Sequence, residues 1–237
     1  MIASFHLADV GKLAALRLLR TKIAPSDVPG LRYALVTTTA PLSAHLLPKP
    51  RAGRVGLIAL WEDDLALEGF LATHPVAERL ADGWHVRLQP KRVVGAWAPL
   101  PPPPVDEEPM DATEPSAALT IGRLRLSQTV RFLRASAAAE SLAVRDPALL
   151  AGTGLASLPA QVATFTLWRS TAAMSAYALG QAAPGHLAAI RAHGAKPFHH
   201  ESAFIRFRPY AAQGKWDGRD PLALATAPPA TDPALAG

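Results

Sequence analysis

RLQPKRVVGAW, residues 87–97, and RFRPYAAQGKW, residues 206–216, share the pattern R-x-x-P-x-x-x-x-G-x-W. Working outward, the match continues upstream in both halves of the chain. Leu60-Trp61 followed by Ala66-Leu67 and Phe70 pairs at constant offset with Leu167-Trp168, Ala173-Met174 and Tyr177. His74, in THPVAERL, then corresponds to His186, in GHLAAIRA, after a small insertion. Three matched blocks in one order point to an internal duplication.

Hydrophobic periodicity gives each half roughly the order β-α-β-β-α(α)-β. That is the split βαβ, ferredoxin-like pattern, an antiparallel sheet with helices on one face. The bare sheet face of one such unit is a large apolar liability. Two units packed sheet to sheet remove it, so the expected fold is α+β: an intramolecular dimeric α/β barrel around a central cavity, a natural ligand site. Residues 1–99 are read as the first unit and 117–222 as the second. Residues 100–116 are a proline-rich acidic linker, and 223–237 a frayed tail. Within the second unit, residues 118–126 read as strand, 127–144 as helix and 147–158 as loop, Gly152-Thr153-Gly154 included.

Composition narrows the chemistry. The chain has 237 residues, 49% of them hydrophobic, enough for a real core. It has no cysteine, which excludes disulfides, thiolate metal sites, cysteine nucleophiles and thiolate-ligated haem. No signal-like segment or spanning apolar run is present, so the chain reads as cytoplasmic. The net charge of +5 is spread over both halves with no basic block or nucleic-acid motif, which argues against nucleic acid. It lends modest support to peripheral contact with an anionic membrane surface.

Nucleophile-elbow, phosphate-loop, dinucleotide and zincin motifs are all missing. Four of the eight histidines fall between His186 and His200. His199-His200-Glu201 resembles a two-histidine-one-carboxylate set, but neighbours on a strand point to opposite faces and do not share a metal. Haem asks less of a sequence: one axial histidine on an apolar wall. His186 opens an apolar helix and holds the repeat-matched position, which makes it the candidate iron ligand, whereas His74-Pro75 reads equally as a helix start. His200 beside Glu201 is the candidate catalytic pair, with Arg125. Arg206 and Arg125 are candidates to meet propionates or another anion. Phe165 is a candidate cofactor contact and also, with Trp61 and Trp168, a candidate core residue.

The second half resembles a known family. Phe165-Thr166-Leu167-Trp168-Arg169-Ser170, Ala173-Met174, His186 with Ala189-Ile190-Arg191, and Phe204 with Arg206-Phe207 are similar to the spheroidene monooxygenase family. So are Gly214-x-Trp216-Asp217-Gly218 with Asp220-Pro221, and Leu124-Arg125 leading into Arg131-Phe132-Leu133. The resemblance implies oxygen insertion into an acyclic carotenoid or other small hydrophobic substrate. It further implies haem, O2, an electron donor and a barrel like that of other haem proteins built from paired ferredoxin-like units. A homodimer is compatible with the sequence. Two other readings keep the fold: a cofactor-free monooxygenase or isomerase with a histidine base, and a non-catalytic binder of haem or a lipid-like ligand.

Overall fold

A computed structural model describes residues 1–46, 49–97, 108–179 and 197–226. His186, His193 and their expected helix, residues 100–107 of the proline linker and the tail beyond 226 lie outside the described residues.

The first half runs β1 (Ile2–Asp9), α1 (Lys12–Leu18), β2 (Leu31–Pro41), β3 (Arg54–Trp61), α2 (Asp64–Thr73), α3 (Pro75–Leu80) and β4 (Trp84–Ala96). The second runs β5 (Ser116–Leu124), a short 3-10 turn (Leu126–Gln128), α4 (Thr129–Ala143), β6 (Leu149–Ser157), β7 (Gln161–Trp168), α5 (Thr171–Ala178) and β8 (His199–Gln213). A last helix, α6 (Pro221–Thr226), follows. The strands close into an antiparallel barrel in the order β1-β3-β2-β6-β7-β5-β8-β4.

Local chemistry starts the helices. Asp63 accepts a hydrogen bond from the Ala66 N–H to cap α2, and Ser170 does the same from Ala173 for α5. Nδ1 of His74 accepts from Val76, and Pro75 occupies the first turn of α3, so His74 is a structural cap.

The halves match in register. Ser4 lies opposite Ala59 and Arg87, and Ala118 lies opposite Thr166 and Arg206. The β2–β3 ladder slips at Leu31/Tyr33 against Trp61, and the β6–β7 ladder slips at Leu149/Ala151 against Trp168. Between the halves, Leu88 faces Pro209 while Pro90 faces Phe207. The two blocks of sequence that share R-x-x-P therefore lie antiparallel against each other at the seam.

Two sequence expectations change here. Residues 149–157 form a strand rather than a loop. LLAGTGLAS lacks the β-branched run that marks a strand, but its backbone groups are paired with both β2 and β7. Residues 223–226 are helical: Asp220 accepts from Trp84 Nε1, and Arg169 donates to the Leu224 carbonyl, tying this end to the body.

The barrel interior is a packed core. Phe5, Trp84, Phe165, Phe207, Leu119 and Ile205 fill it, with Phe5 stacked on Phe165 at 4.1 Å between ring centres. The space lined by Phe5, Leu119, Phe165, Ile205 and Phe207 is about 10 Å³, one water's worth. The expected central cavity is therefore filled by aromatic and branched side chains. Any ligand site of useful size must lie elsewhere.

Candidate functional site

The outer faces of the two half-sheets, where the helices pack, have diverged. In the first half that face is a second core. Val36, Val55, Leu57, Ala59 and Trp61 meet Leu67 and Phe70 of α2, all of them buried. His6 completes it, 2% exposed, sharing Ser4 Oγ with Trp61 Nε1 at 2.9 Å each and stacked on His85. Burial holds the His6 imidazole neutral, down at about 3, helped by the neighbouring His85.

In the second half three of the equivalent strand positions are small or polar, at Thr120, Gly154 and Thr164. His6 lies opposite Leu57 and His85, whereas Thr120 lies opposite Thr164 and Phe204. Val36 faces Leu57, whereas Gly154 faces Thr164. Among the described residues the buried cluster on this side comprises Ala118, Ala143, Trp168 and Met174, with Leu149, Ala173, Tyr177 and Phe204 partly buried against it. Thr120 is exposed although it sits on a strand flanked by β7 and β8. A Cβ added to Gly154 would meet nothing nearer than the Ala40 carbonyl at 3.7 Å. Losing one buried Leu or Val side chain forgoes roughly 1.5–3 kcal/mol, so this face gives up several kcal/mol of packing.

Helix α4 is fastened near both ends. Of its residues only Ala143 is fully buried. At the C-terminal end Tyr177 of α5 donates to the Ala139 carbonyl, and the Ser43 N–H donates to Glu140 Oε2 at 3.0 Å. Burial raises the Glu140 carboxyl above the usual carboxylate range, only partly offset by that hydrogen bond. At the N-terminal end the Arg125 N–H donates to the Phe198 carbonyl and Arg125 Nε donates to the His199 carbonyl at 3.1 Å. The His199 ring lies over Gly122, where a Cβ would sit 2.7 Å away, and edge-on to Phe132 at 5.2 Å. Arg131 stacks on Phe198. Thr120, Gly122, Gly154 and Thr164 thus make a strip of small residues on this outer face, with the His199 ring and Phe132 over its Gly122 end.

The residues singled out from the sequence fall as follows. Arg206 projects on this outer face, two positions along β8 from Phe204, and its Nε is buried without a hydrogen-bond partner. Arg125 acts through the backbone of His199. His200 is exposed, and Glu201 pairs with Arg123 at 3.0 Å, so His200 and Glu201 are not brought together as a catalytic pair. Phe165 is 1% exposed inside the barrel and does not lie on this face. No cluster of metal-ligating side chains occurs among the described residues. The sequence places Phe132 in the family resemblance but with no site role, offers no sign of Thr120, sets His199 aside as a ligand, and presents Gly152-Thr153-Gly154 as loop. The available signal was the repeated sequence pattern, because lining up the halves sets Thr164 against Leu57 and Gly154 against Val36.

The outer face of the second half presents small residues, an aromatic and a histidine at one end, and at its edge Arg206, whose Nε lacks a hydrogen-bond partner among the described residues. These donors fit haem in kind, a histidine for the metal and an arginine for a carboxylate.

Comparison with known proteins names the class. The chain is 32% identical over 196 residues to the spheroidene monooxygenase of Rubrivivax gelatinosus, spanning 81% of this chain and 73% of that protein. It is 31% identical over 193 residues to the spheroidene monooxygenase of Cereibacter sphaeroides, spanning 78% of this chain but 59% of that protein. The chain belongs to the spheroidene monooxygenase family. No family model matches it. A solved structure from Fusobacterium nucleatum, provisionally described as a monooxygenase, aligns over 90% of this chain and 93% of its own, with 7% identity and a TM-score of 0.41. No helix among the described residues is long and apolar enough to cross a membrane.

Proposed function

We propose that this chain is a haem-dependent monooxygenase-like enzyme that oxidises a small hydrophobic, carotenoid-like substrate on the outer face of its second half. Family membership supports the reaction class. The single observation that carries the location is the loss of packing on that face, where the matching face of the first half is a filled core. In this reading residues 1–99 and 117–222 are duplicated ferredoxin-like units joined by 100–116. One copy stabilises the barrel and the other has been opened for a ligand.

Bound on this face, haem would supply the oxygen-activating centre, with O2 and an electron donor as co-reactants. The protein's own work is binding and orientation. His186 is the proposed iron ligand, and His199 lies over the face as a further imidazole. Arg206 would hold a carboxylate, and Arg125 would keep His199 in place through its carbonyl. Thr120, Thr164 and Gly154 would form a floor that a planar ring can approach, and α4 would keep bulk water from the reacting carbon. Such an enzyme would reach a membrane-borne substrate by peripheral contact, from the cytoplasm, as monomer or homodimer.

Titration with hemin tests the reading. A Soret band that sharpens and shifts at one equivalent, and that changes in His186→Ala, supports haem with His186 as ligand. A change in His199→Ala alone moves the ligand to His199. Oxygen-dependent turnover of an acyclic carotenoid by haem-free protein would instead establish the cofactor-free reading. Tight binding without turnover, given O2 and reductant, would establish a carrier.

A further inference from the structure

Arg87 and Arg206 are equivalent, each opening its R-x-x-P block and each lying across from the matching β1 or β5 residue. Their surroundings are not. Arg87 Nη1 donates to Asp64 at 2.6 Å and to Glu68 at 3.2 Å, both on α2. Asp64 opens α2 behind its cap Asp63, and Thr171 opens α5 behind its cap Ser170. Counting on from there, Glu68 corresponds to Ser175. Both acids that neutralise Arg87 are therefore replaced by hydroxyl residues at the corresponding positions of α5, and the Thr171 hydroxyl donates to the Glu114 carbonyl.

Among the described residues no carboxylate pairs with Arg206: Glu108 and Glu114 bind Arg208 at 3.1 Å each, Glu108 also approaches Lys91 at 3.6 Å, and Asp111 accepts from Thr113. Arg206 pairs across the ladder with Arg92 on β4, so its close neighbour on the same face is a second guanidinium. Its charged form is disfavoured by burial and then by Arg92. Two adjacent arginines with a buried Nε and no carboxylate cost stability, and an anion arriving from outside would recover it.

We infer that Arg206, with Arg92 beside it, is a subsite for the carboxylate of an amphipathic ligand whose apolar body lies on the open face. Phe204 and Arg206 are two residues apart on β8, about 7 Å, so a carboxylate at Arg206 leaves its attached body over Phe204 and Thr120. Arginine suits this task because its planar fork meets a carboxylate with two hydrogen bonds. The inference rests on the open face being a ligand site, but not on the ligand being haem: a porphyrin propionate and a fatty-acid-like carboxylate present the same group.

The test compares acids with their esters. Zinc protoporphyrin IX is titrated against its dimethyl ester by tryptophan quenching, and laurate against methyl laurate by thermal shift. The variants are Arg206→Gln and Thr171→Asp/Ser175→Glu, the latter restoring the acids of the first half. The expected result is about tenfold tighter binding of at least one acid over its ester, the worth of one charged hydrogen-bonded pair, lost in both variants. A preference confined to the porphyrin assigns the subsite to propionate. A preference confined to laurate leaves the subsite standing while the haem reading fails. Equal binding of acid and ester in the unmodified protein, or a preference that survives in Thr171→Asp/Ser175→Glu, overturns the inference.

Discussion

Gly95 and Gly214 occupy equivalent points in the two halves and adopt nearly the same left-handed backbone, with φ of 87° and 85°. Each lies against a carbonyl of the opposite half: a Cβ on Gly95 would strike the Ser202 oxygen, and one on Gly214 the Gly83 oxygen. Both places where β4 and β8 end against each other thus exclude any side chain, for steric reasons as well as backbone ones. Gly95→Ala and Gly214→Ala should each lower unfolding free energy by about 2–4 kcal/mol, and by similar amounts. Urea denaturation checks this. A loss at one site alone would show that the halves are not mechanically equivalent.

Acid should weaken the first half before it touches the second. His6 is buried with a depressed pKa of about 3, so the unfolded chain takes up a proton below the ordinary histidine value while the folded one does not. Its contribution to stability is full above pH 6.5 and is lost as pH falls towards 3. Between pH 6.5 and 4.5 the loss should approach about 2–3 kcal/mol. His6→Gln should flatten that slope in melts at stepped pH. A slope unchanged by the substitution would assign the acid sensitivity to other groups.

A charged clasp joins the end of the chain to the first half. The Arg54 side chain is 11% exposed between Asp9 and Asp217, with Arg51 also on Asp217 at 2.9 Å. Arg54 and then Arg51 hold the Asp217 carboxyl below its usual range, so its contribution is present above about pH 4 and lost below it. Asp217→Asn keeps a residue tolerant of the positive φ of 49° and removes only the charge. Because Asp217 itself is 41% exposed, the expected cost is modest, about 1–2 kcal/mol, by thermal denaturation at pH 7. No loss would mean that solvent already screens the clasp.

Much of this architecture is legible in the residues. R-x-x-P-x-x-x-x-G-x-W occurs twice because each half contributes one strand to a single seam, β4 against β8, and Leu-Trp recurs because β3 and β7 each end on a tryptophan. What could not be read was the cost of each local choice. LLAGTGLAS hides its strand because its stability comes from pairing with β2 and β7, not from propensity. Phe165 and Arg206 sit one residue apart in character, both strand residues of the second half. Only the closed barrel shows that one faces the packed interior and the other the open side. His200 and Glu201 attract attention as neighbours in sequence, but alternation along β8 and the Arg123 pairing separate them.

The account turns on the outer face of the second half being the ligand site. Thr164→Leu with Gly154→Val restores, residue for residue, the packing that Leu57 and Val36 give the first half. The double variant should fold with equal or higher melting temperature and lose the Soret change on hemin titration, whereas Phe165→Leu in the barrel interior should keep it. Hemin binding undiminished in the filled variant, with binding lost in Phe165→Leu, would contradict the account and return the site to the barrel interior.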